Sequence, residues 1–224
     1  MTHPLVPALR AALAGQRNPD DAAAMRAYMK GVQPFYGIKS GPRRALLRTA
    51  IGCYPITNRA DYEAVIRALW AGEYREELYL ALDVAERVKP YCDLASWPLY
   101  GELMRQGDWW DTLDWIAGKL MSPLVLAHRE LEADLIAWRT DPGLWVRRAS
   151  LLTHLKHKAA TNQVLLAETI LMLAPDTDFF IRKAIGWVLR EYAKVNPVWV
   201  IDFVTAHEAE LSQLSQREAL KNVA

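Results

Sequence analysis

Trp110 and Asp114 stand four residues apart in GDWWDTLDW, Arg148 sits within LWVRRA, and Trp187 lies in FFIRKAIGWVLREYAK. A spacing of four places Trp110 and Asp114 on one helix face, an indole one turn from a carboxylate. Such a pair can cradle a developing cation, because the ring face supplies electron density and the acid a negative charge. The plainer reading is that Trp110 closes the border of a core stripe and Asp114 is an exposed helix acid. Arg148 shares its face with Leu144, Trp145, Leu152 and Leu155. An arginine there needs a partner, either a phosphate that suits its fork of donors or an acid such as Asp114 or Glu191. Trp187 falls on a stripe with Phe180, Lys183, Arg190 and Lys194, well round the helix from Ile181, Ala184, Ile185, Val188, Leu189 and Tyr192. Indoles and cations on one face suit a polymer in which sugars and bases alternate with phosphates.

These residues must be positioned by helices, since strand-like alternation is absent and helical periodicity runs almost throughout. Helices are expected near 4–15, 18–31, 42–52, 58–70, 73–89, 96–106, 108–121, 123–139, 142–158, 161–174, 178–194, 197–208 and 216–223. Pro4 begins the first. Asn18-Pro19, Asp141-Pro142 and Asn196-Pro197 each offer a cap followed by proline at the first helical position, and Asp178 caps the stretch that carries Trp187. Ser215 with Glu218 reads as a capping box before the last helix. The longest irregular connection is 32–41, VQPFYGIKSG. No linker or shift in composition divides the chain, so residues 1–224 read as a single all-α domain.

Trp110, Arg148 and Trp187 are 38 and 39 positions apart, close to the roughly 40-residue period of HEAT-type helix pairs. Each falls in the second helix of an expected pair: 108–121, 142–158 and 178–194. In a stacked array such positions line one shared, concave surface. A stacked solenoid is therefore favoured over a globular bundle.

The totals exclude other classes. A net charge of +1 gives no global attraction to nucleic acid, so any basic patch comes from arrangement. Cys53 and Cys92 read as ordinary buried thiols in a reducing compartment. The N-terminal residues lack the charge and apolar run of a signal peptide, and no stretch is of membrane-spanning length, so a cytoplasmic protein without membrane contact is expected. No glycine-rich phosphate loop, nucleophile elbow or zinc-spaced cysteine pair is present. His154 and His157, three apart, lack a third ligand at a persuasive spacing and read as plain helix surface, so no metal is expected. Tyr28, Met29 and Lys30 precede the long loop and Arg43-Arg44 follow it, a cluster able to flank a phosphate backbone. Arg147 points away from Arg148 and reads as a solvated or backbone-contacting charge.

Taken together, WWDTLD (109–114), LWVRRA (144–149) and FFIRKAIGWVLREYAK (179–194), supported by YMKG (28–31) and GIKSGPRR (37–44), resemble the HEAT-like-repeat alkylpurine DNA glycosylases, the AlkD family of DNA alkylation repair enzymes. The resemblance runs from His3-Pro4 to about Lys221, and it departs at the C-terminus, where the chain stops soon after its last helix begins. It implies a right-handed superhelical solenoid with a concave DNA-binding groove. It also implies a monomeric enzyme without cofactor, acting on double-stranded DNA that contains alkylated purines. Trp110, Asp114 and Trp187 would carry catalysis, with Arg148 and Tyr28 supporting the DNA and lesion region. Arg43, Arg44, Lys183, Arg190 and Lys194 are further candidates for backbone contacts, from their positions in this chain.

The implied chemistry suits the residues. Alkylation at N3 or N7 gives a purine a positive charge and makes it a better leaving group. An anion and electron-rich rings near the sugar then help more than a strong acid does. The resemblance further implies capture through backbone and sugar, without the tight pocket of a base-flipping enzyme. Two other readings of the scaffold stand beside this one: a non-catalytic protein that binds distorted or branched DNA, and a protein-interaction array, the usual use of HEAT-type repeats.

Overall fold

The computed structural model describes residues 2–221 and 223, and every regular element among them is helical. The fold is all-α, as the hydrophobic period requires. The chain divides into two compact units, Met1–Leu99 and Tyr100–Ala224. No helix among the described residues is long and apolar enough to cross a membrane.

In the first unit, α1 (Leu5–Gly15), α2 (Pro19–Tyr28), α3 (Ser40–Cys53), α4 (Arg59–Trp70) and α5 (Arg75–Arg87) are followed by short 3-10 turns and the start of α6 (Trp97–Gln106). Leu5, Leu9 and Leu13 recur one turn apart on α1 and are wholly buried, as are Tyr62, Val65, Ile66 and Leu69 on the α4 face that meets it. Each aliphatic side chain of this kind stabilises the fold by roughly 1.5–3 kcal/mol. Asn18 and Asn58 cap α2 and α4 by accepting from the Asp21 and Asp61 N–H groups.

The irregular stretch before α3 runs through the interior: Phe35, Tyr36, Gly37 and Ile38 are buried. Their N–H groups therefore need acceptors inside the protein. The buried Glu76 carboxylate supplies three of them, accepting from Tyr36 N at 3.0 Å, Gly37 N at 2.8 Å and Ile38 N at 3.0 Å. Gly37 has φ +87°, and a Cβ there would lie 2.1 Å from the Asn18 carbonyl oxygen, so only glycine fits. Cys53, the last residue of α3, is exposed and Cys92 is half-buried; both thiols are free. The expectation of two buried thiols is corrected: the last turn of α3 faces solvent.

In the second unit, α7 (Trp110–Trp115) continues through a π-helical segment, Ile116–Met121, into α8 (Ser122–Ala127). An unbroken helix over 108–121 was expected. Pro123 accounts for the widened turn, because it cannot donate to the carbonyl four residues back and its ring crowds that group. His128 leaves helical backbone at φ −130°, so the expected 123–139 helix is divided into α8 and α9 (Glu132–Trp138). Next come α10 (Leu144–Leu152), α11 (Gln163–Leu173), α12 (Phe179–Ala193), α13 (Pro197–Ala206) and α14 (Gln213–Ala219). The α10 helix packs against α7, α9, α11 and α12, and α12 packs against α13 and α14. Central placement of α10 is what brings α7 and α12 to bear on one residue of it.

Asp178 caps α12 as expected, accepting from Phe180 N at 2.7 Å, and Asn196 caps α13. Asp141 instead accepts from Gly143 N at 2.8 Å, and α10 begins only after Gly143. The last helix also differs from expectation. Ser212 is its cap, accepting from Ser215 N at 3.1 Å, which leaves Ser215 and Glu218 inside α14 and not at its start. The expected end near 223 involves Asn222, outside the described residues. Gly186 permits the close contact with α14, since a Cβ there would meet Glu218 Cβ at 2.5 Å and Ser215 O at 2.9 Å.

Candidate functional site

Arg148 occupies the middle of α10 and is buried, with only 3% of its surface exposed. Its fork is taken up from two directions. On the α7 side, Nε and Nη2 donate to Asp114 Oδ1 and Oδ2, both at 2.9 Å, in a parallel two-bond pairing. On the α12 side, Nη1 donates to the Phe180 carbonyl oxygen. Of the partners open to Arg148 from sequence, Asp114 is the one it meets.

Asp114 lies one turn after Trp110 on α7, and 15% of its side chain remains exposed. Burial pushes its carboxyl above its ordinary pKa, against the pull of the two Arg148 bonds; Asp111 adds a smaller push. A carboxylate has about four acceptor positions, and Arg148 takes two. The exposed edge thus remains available to a water molecule or to a positive centre. Trp110 is the first residue of α7 and is half-buried, as is Trp187 on α12. Neither ring is in the deep interior. Trp187 follows Phe180 by seven residues, so it shares that residue's stripe about 10 Å further along the axis.

An aromatic cluster surrounds the Arg148 clamp. Phe180 packs against Trp109 and Trp145 with ring centroids 5.5 and 5.0 Å apart, Trp109 and Trp145 are 6.0 Å apart, and the Arg148 guanidinium carbon lies 5.8 Å from the Phe180 ring centre. A helix beginning at 108 would include Trp109, but Trp109 precedes α7 in extended conformation, φ −152° and ψ 159°, which frees its ring to reach Trp145 and Phe180. Its indole Nε1 is buried with no hydrogen-bond partner. Phe180 was missed as an anchoring residue, because its role runs through a backbone carbonyl that no side-chain pattern signals.

Several candidate cations have partners that the sequence did not name. Lys183 Nζ lies 2.7 Å from Glu218 Oε1, and Arg190 donates to Glu218 Oε2. These two residues, seven apart on α12, clamp one carboxylate of α14. The Lys183 hydrogen bond, followed by that of Arg190, holds the Glu218 carboxyl below its ordinary pKa. Lys194 pairs with Glu191 at 2.6 Å near the end of α12. Arg147 is not a solvated charge: it pairs with Asp176 at 3.1 Å and donates to the Asp141 and Pro142 carbonyls at 2.9 Å.

In the first unit, Arg43 is buried, stacked on Tyr79 at 4.7 Å and bonded to Asp83 at 3.1 Å. Its apolar surroundings and Asp83 make Arg43 a tie between α3 and α5. Arg44 also reaches Asp83, at 3.0 Å, but is 45% exposed. Tyr28 ends α2 with 71% of its surface exposed. His154 and His157, expected on a plain helix surface, are both buried, because α10 ends at Leu152 and the chain turns inward beyond it.

The family described as DNA alkylation repair enzyme matches residues 9–223. Among solved structures, a predicted DNA alkylation repair enzyme from Enterococcus faecalis superposes with a TM-score of 0.84 at 34% sequence identity, covering 93% of this chain and 97% of that one. No curated protein matches.

Proposed function

Because the chain belongs to the DNA alkylation repair enzyme family, we propose that it hydrolyses the N-glycosidic bond of cationic N3- or N7-alkylated purines in duplex DNA. The products are a free alkylpurine and an abasic site. The observation that carries this reading is the Asp114 carboxylate, held by Nε and Nη2 of Arg148 with one edge still exposed.

In this reaction the C1′–N bond breaks and its electron pair goes to the purine, which becomes neutral as it leaves. Positive charge then develops on the deoxyribose. Asp114 stabilises that charge and orients the water that adds to C1′; the water's extra proton leaves to Asp114 and then to solvent. Trp110 and Trp187 pack against the sugar and backbone. Arg148 is a positioning residue, since its guanidinium fixes the carboxylate and is itself buried. A fixed anion in a partly dry site can lower the barrier by several kcal/mol, a rate factor of about a thousand. Selectivity then comes from the lability of a charged base, and no tight base pocket is needed.

Release of 7-methylguanine from methylated duplex DNA tests this reading. Wild type releases the base, and Asp114→Asn does so at least a hundredfold more slowly while binding the same duplex. Binding without release by the wild type supports the alternative, a non-catalytic protein for distorted or branched DNA. Weak, salt-insensitive DNA affinity would point to a protein-interaction array.

A further inference from the structure

Beyond α10 the chain turns through His154–Lys158 and, with the start of α11 and the last turns of α12, encloses a cavity of about 280 Å³. Leu155, Leu166 and Val188 give it an apolar wall, and Tyr192 adds an aromatic one. Lys156, Lys158 and Lys194 stand on its lining. Glu191 neutralises Lys194 at 2.6 Å, and the ammonium groups of Lys156 and Lys158 meet no carboxylate among the described residues, so the rim is cationic. Lys158 is held at φ 50°, a left-handed conformation costing about 1–3 kcal/mol in a residue other than glycine. Such strain, spent on carrying a lysine to a cavity rim, marks the turn as more than a connection.

The floor holds a second anomaly. His154 is 3% exposed, and neither ring nitrogen has a hydrogen-bond partner. A neutral imidazole always carries one N–H, and leaving it unmatched in the interior costs about 1–3 kcal/mol. The neighbouring His157 does not relieve it, being bonded through Nε2 to Ser122 O at 3.0 Å.

From these observations we infer that the cavity is a nucleotide subsite: Lys156 and Lys158 take the phosphate, the Leu155–Val188–Tyr192 wall takes the sugar or base, and His154 turns its N–H to a phosphate oxygen. The choice of a nucleotide rests on the DNA reading above. The cavity lies near the reacting centre of that reading, because Lys194 at its rim is seven residues beyond Trp187, about 10 Å along the axis. The phosphate can come from the strand flanking the lesion or from a free mononucleotide.

The imidazole carbon–proton resonance of His154 in the full chain, assigned by its loss in His154→Gln, reports on the site. dAMP and an unmodified duplex are the probes, and neutral deoxyadenosine is the control. dAMP, the duplex or both shift the resonance saturably, whereas deoxyadenosine does not. The apparent affinity falls at least tenfold in the Lys156→Ala/Lys158→Asn double variant, in which asparagine tolerates the left-handed backbone. A response to duplex alone assigns the phosphate to the strand, and a response to dAMP alone assigns it to a free nucleotide. No shift with either probe, an equal shift with deoxyadenosine, or unchanged affinity in the double variant overturns the inference. Asp114→Asn does not alter this cavity, so base release and the His154 response can fail separately.

Discussion

Arg148 and Asp114 are 34 residues apart and meet through two parallel bonds of 2.9 Å, so α10 and α7 are joined at the carboxylate itself. The arginine is buried and the acid keeps an exposed edge. Such geometry fixes the direction in which the acid presents its charge, a matter in which lysine cannot replace the planar fork. Arg148→Lys therefore slows base release by roughly 10- to 100-fold, the loss of one charge-assisted hydrogen bond, while duplex affinity changes little. Adding Asp114→Asn to Arg148→Lys slows it by much less than Asp114→Asn does in the wild type. Additive effects in that double-mutant cycle, measured in single turnovers, would show that Arg148 acts other than through Asp114. Arg148→Ala, which leaves a buried carboxylate unpaired, lowers stability by about 3–5 kcal/mol.

Acid should inhibit this enzyme earlier than an ordinary aspartate would. Burial raises the Asp114 carboxyl above the usual 3.8, and only the anion stabilises a developing cation. Activity consequently rises with pH and levels off above the folded-state value. The ionised form is disfavoured in the fold, so the same group contributes less to stability as pH rises from 3.8 through that value. Arg148→Lys moves the acid limb to higher pH by removing part of the downward pull. Single-turnover release across the acid range checks both the limb and its displacement. A limb at the ordinary aspartate position removes the case for a desolvated catalytic carboxylate.

Glu218 neutralises two of the cations on the Trp187 stripe, Lys183 and Arg190. If duplex DNA lies along that stripe, Glu218→Gln releases positive charge toward it. The variant binds unmodified duplex more tightly at low salt, and the slope of log affinity against log salt steepens by about one. Stability falls by only about 1 kcal/mol, since the pair is partly solvated. Anisotropy titrations at several salt concentrations measure the slope. An unchanged slope means that DNA does not follow this face of α12.

Local signals were readable from the chain, and long-range partners were not. Asp178 and Asn196 reveal themselves as caps because the N–H groups they satisfy lie two or three residues away. The need of Arg148 for a partner is equally plain from its apolar neighbours; the choice of Asp114 over Glu191 is tertiary. A helical wheel assumes that the helix exists, and the assumption fails at both ends. Trp109 precedes α7, and His154 and His157 follow α10, so each is placed by chain reversal instead of by helical phase. In α14 the Ser215–Glu218 pair has the right spacing for a capping box, yet Ser212 lies one turn earlier and takes the cap. Glu218 is thereby freed to face Lys183 and Arg190, which no local pattern announces.

His154 offers a test of stability against pH. Burial, with smaller pushes from His157, Arg139 and Arg129, lowers its pKa from 6.5 to about 3. Between these values the unfolded chain holds a proton that the folded chain does not, so this residue favours unfolding progressively as pH drops below 6.5. At pH 5 the loss relative to pH 7 is about 2 kcal/mol, at 1.4 kcal/mol per pH unit below 6.5. The lowered pKa of His157 adds in the same direction. Urea denaturation of His154→Leu should therefore show a shallower decline between pH 7 and pH 5 than wild type, whatever the variant's stability at neutral pH. Parallel declines in the two proteins would mean that His154 gains its proton without unfolding, and that its ring has access to water in the native state.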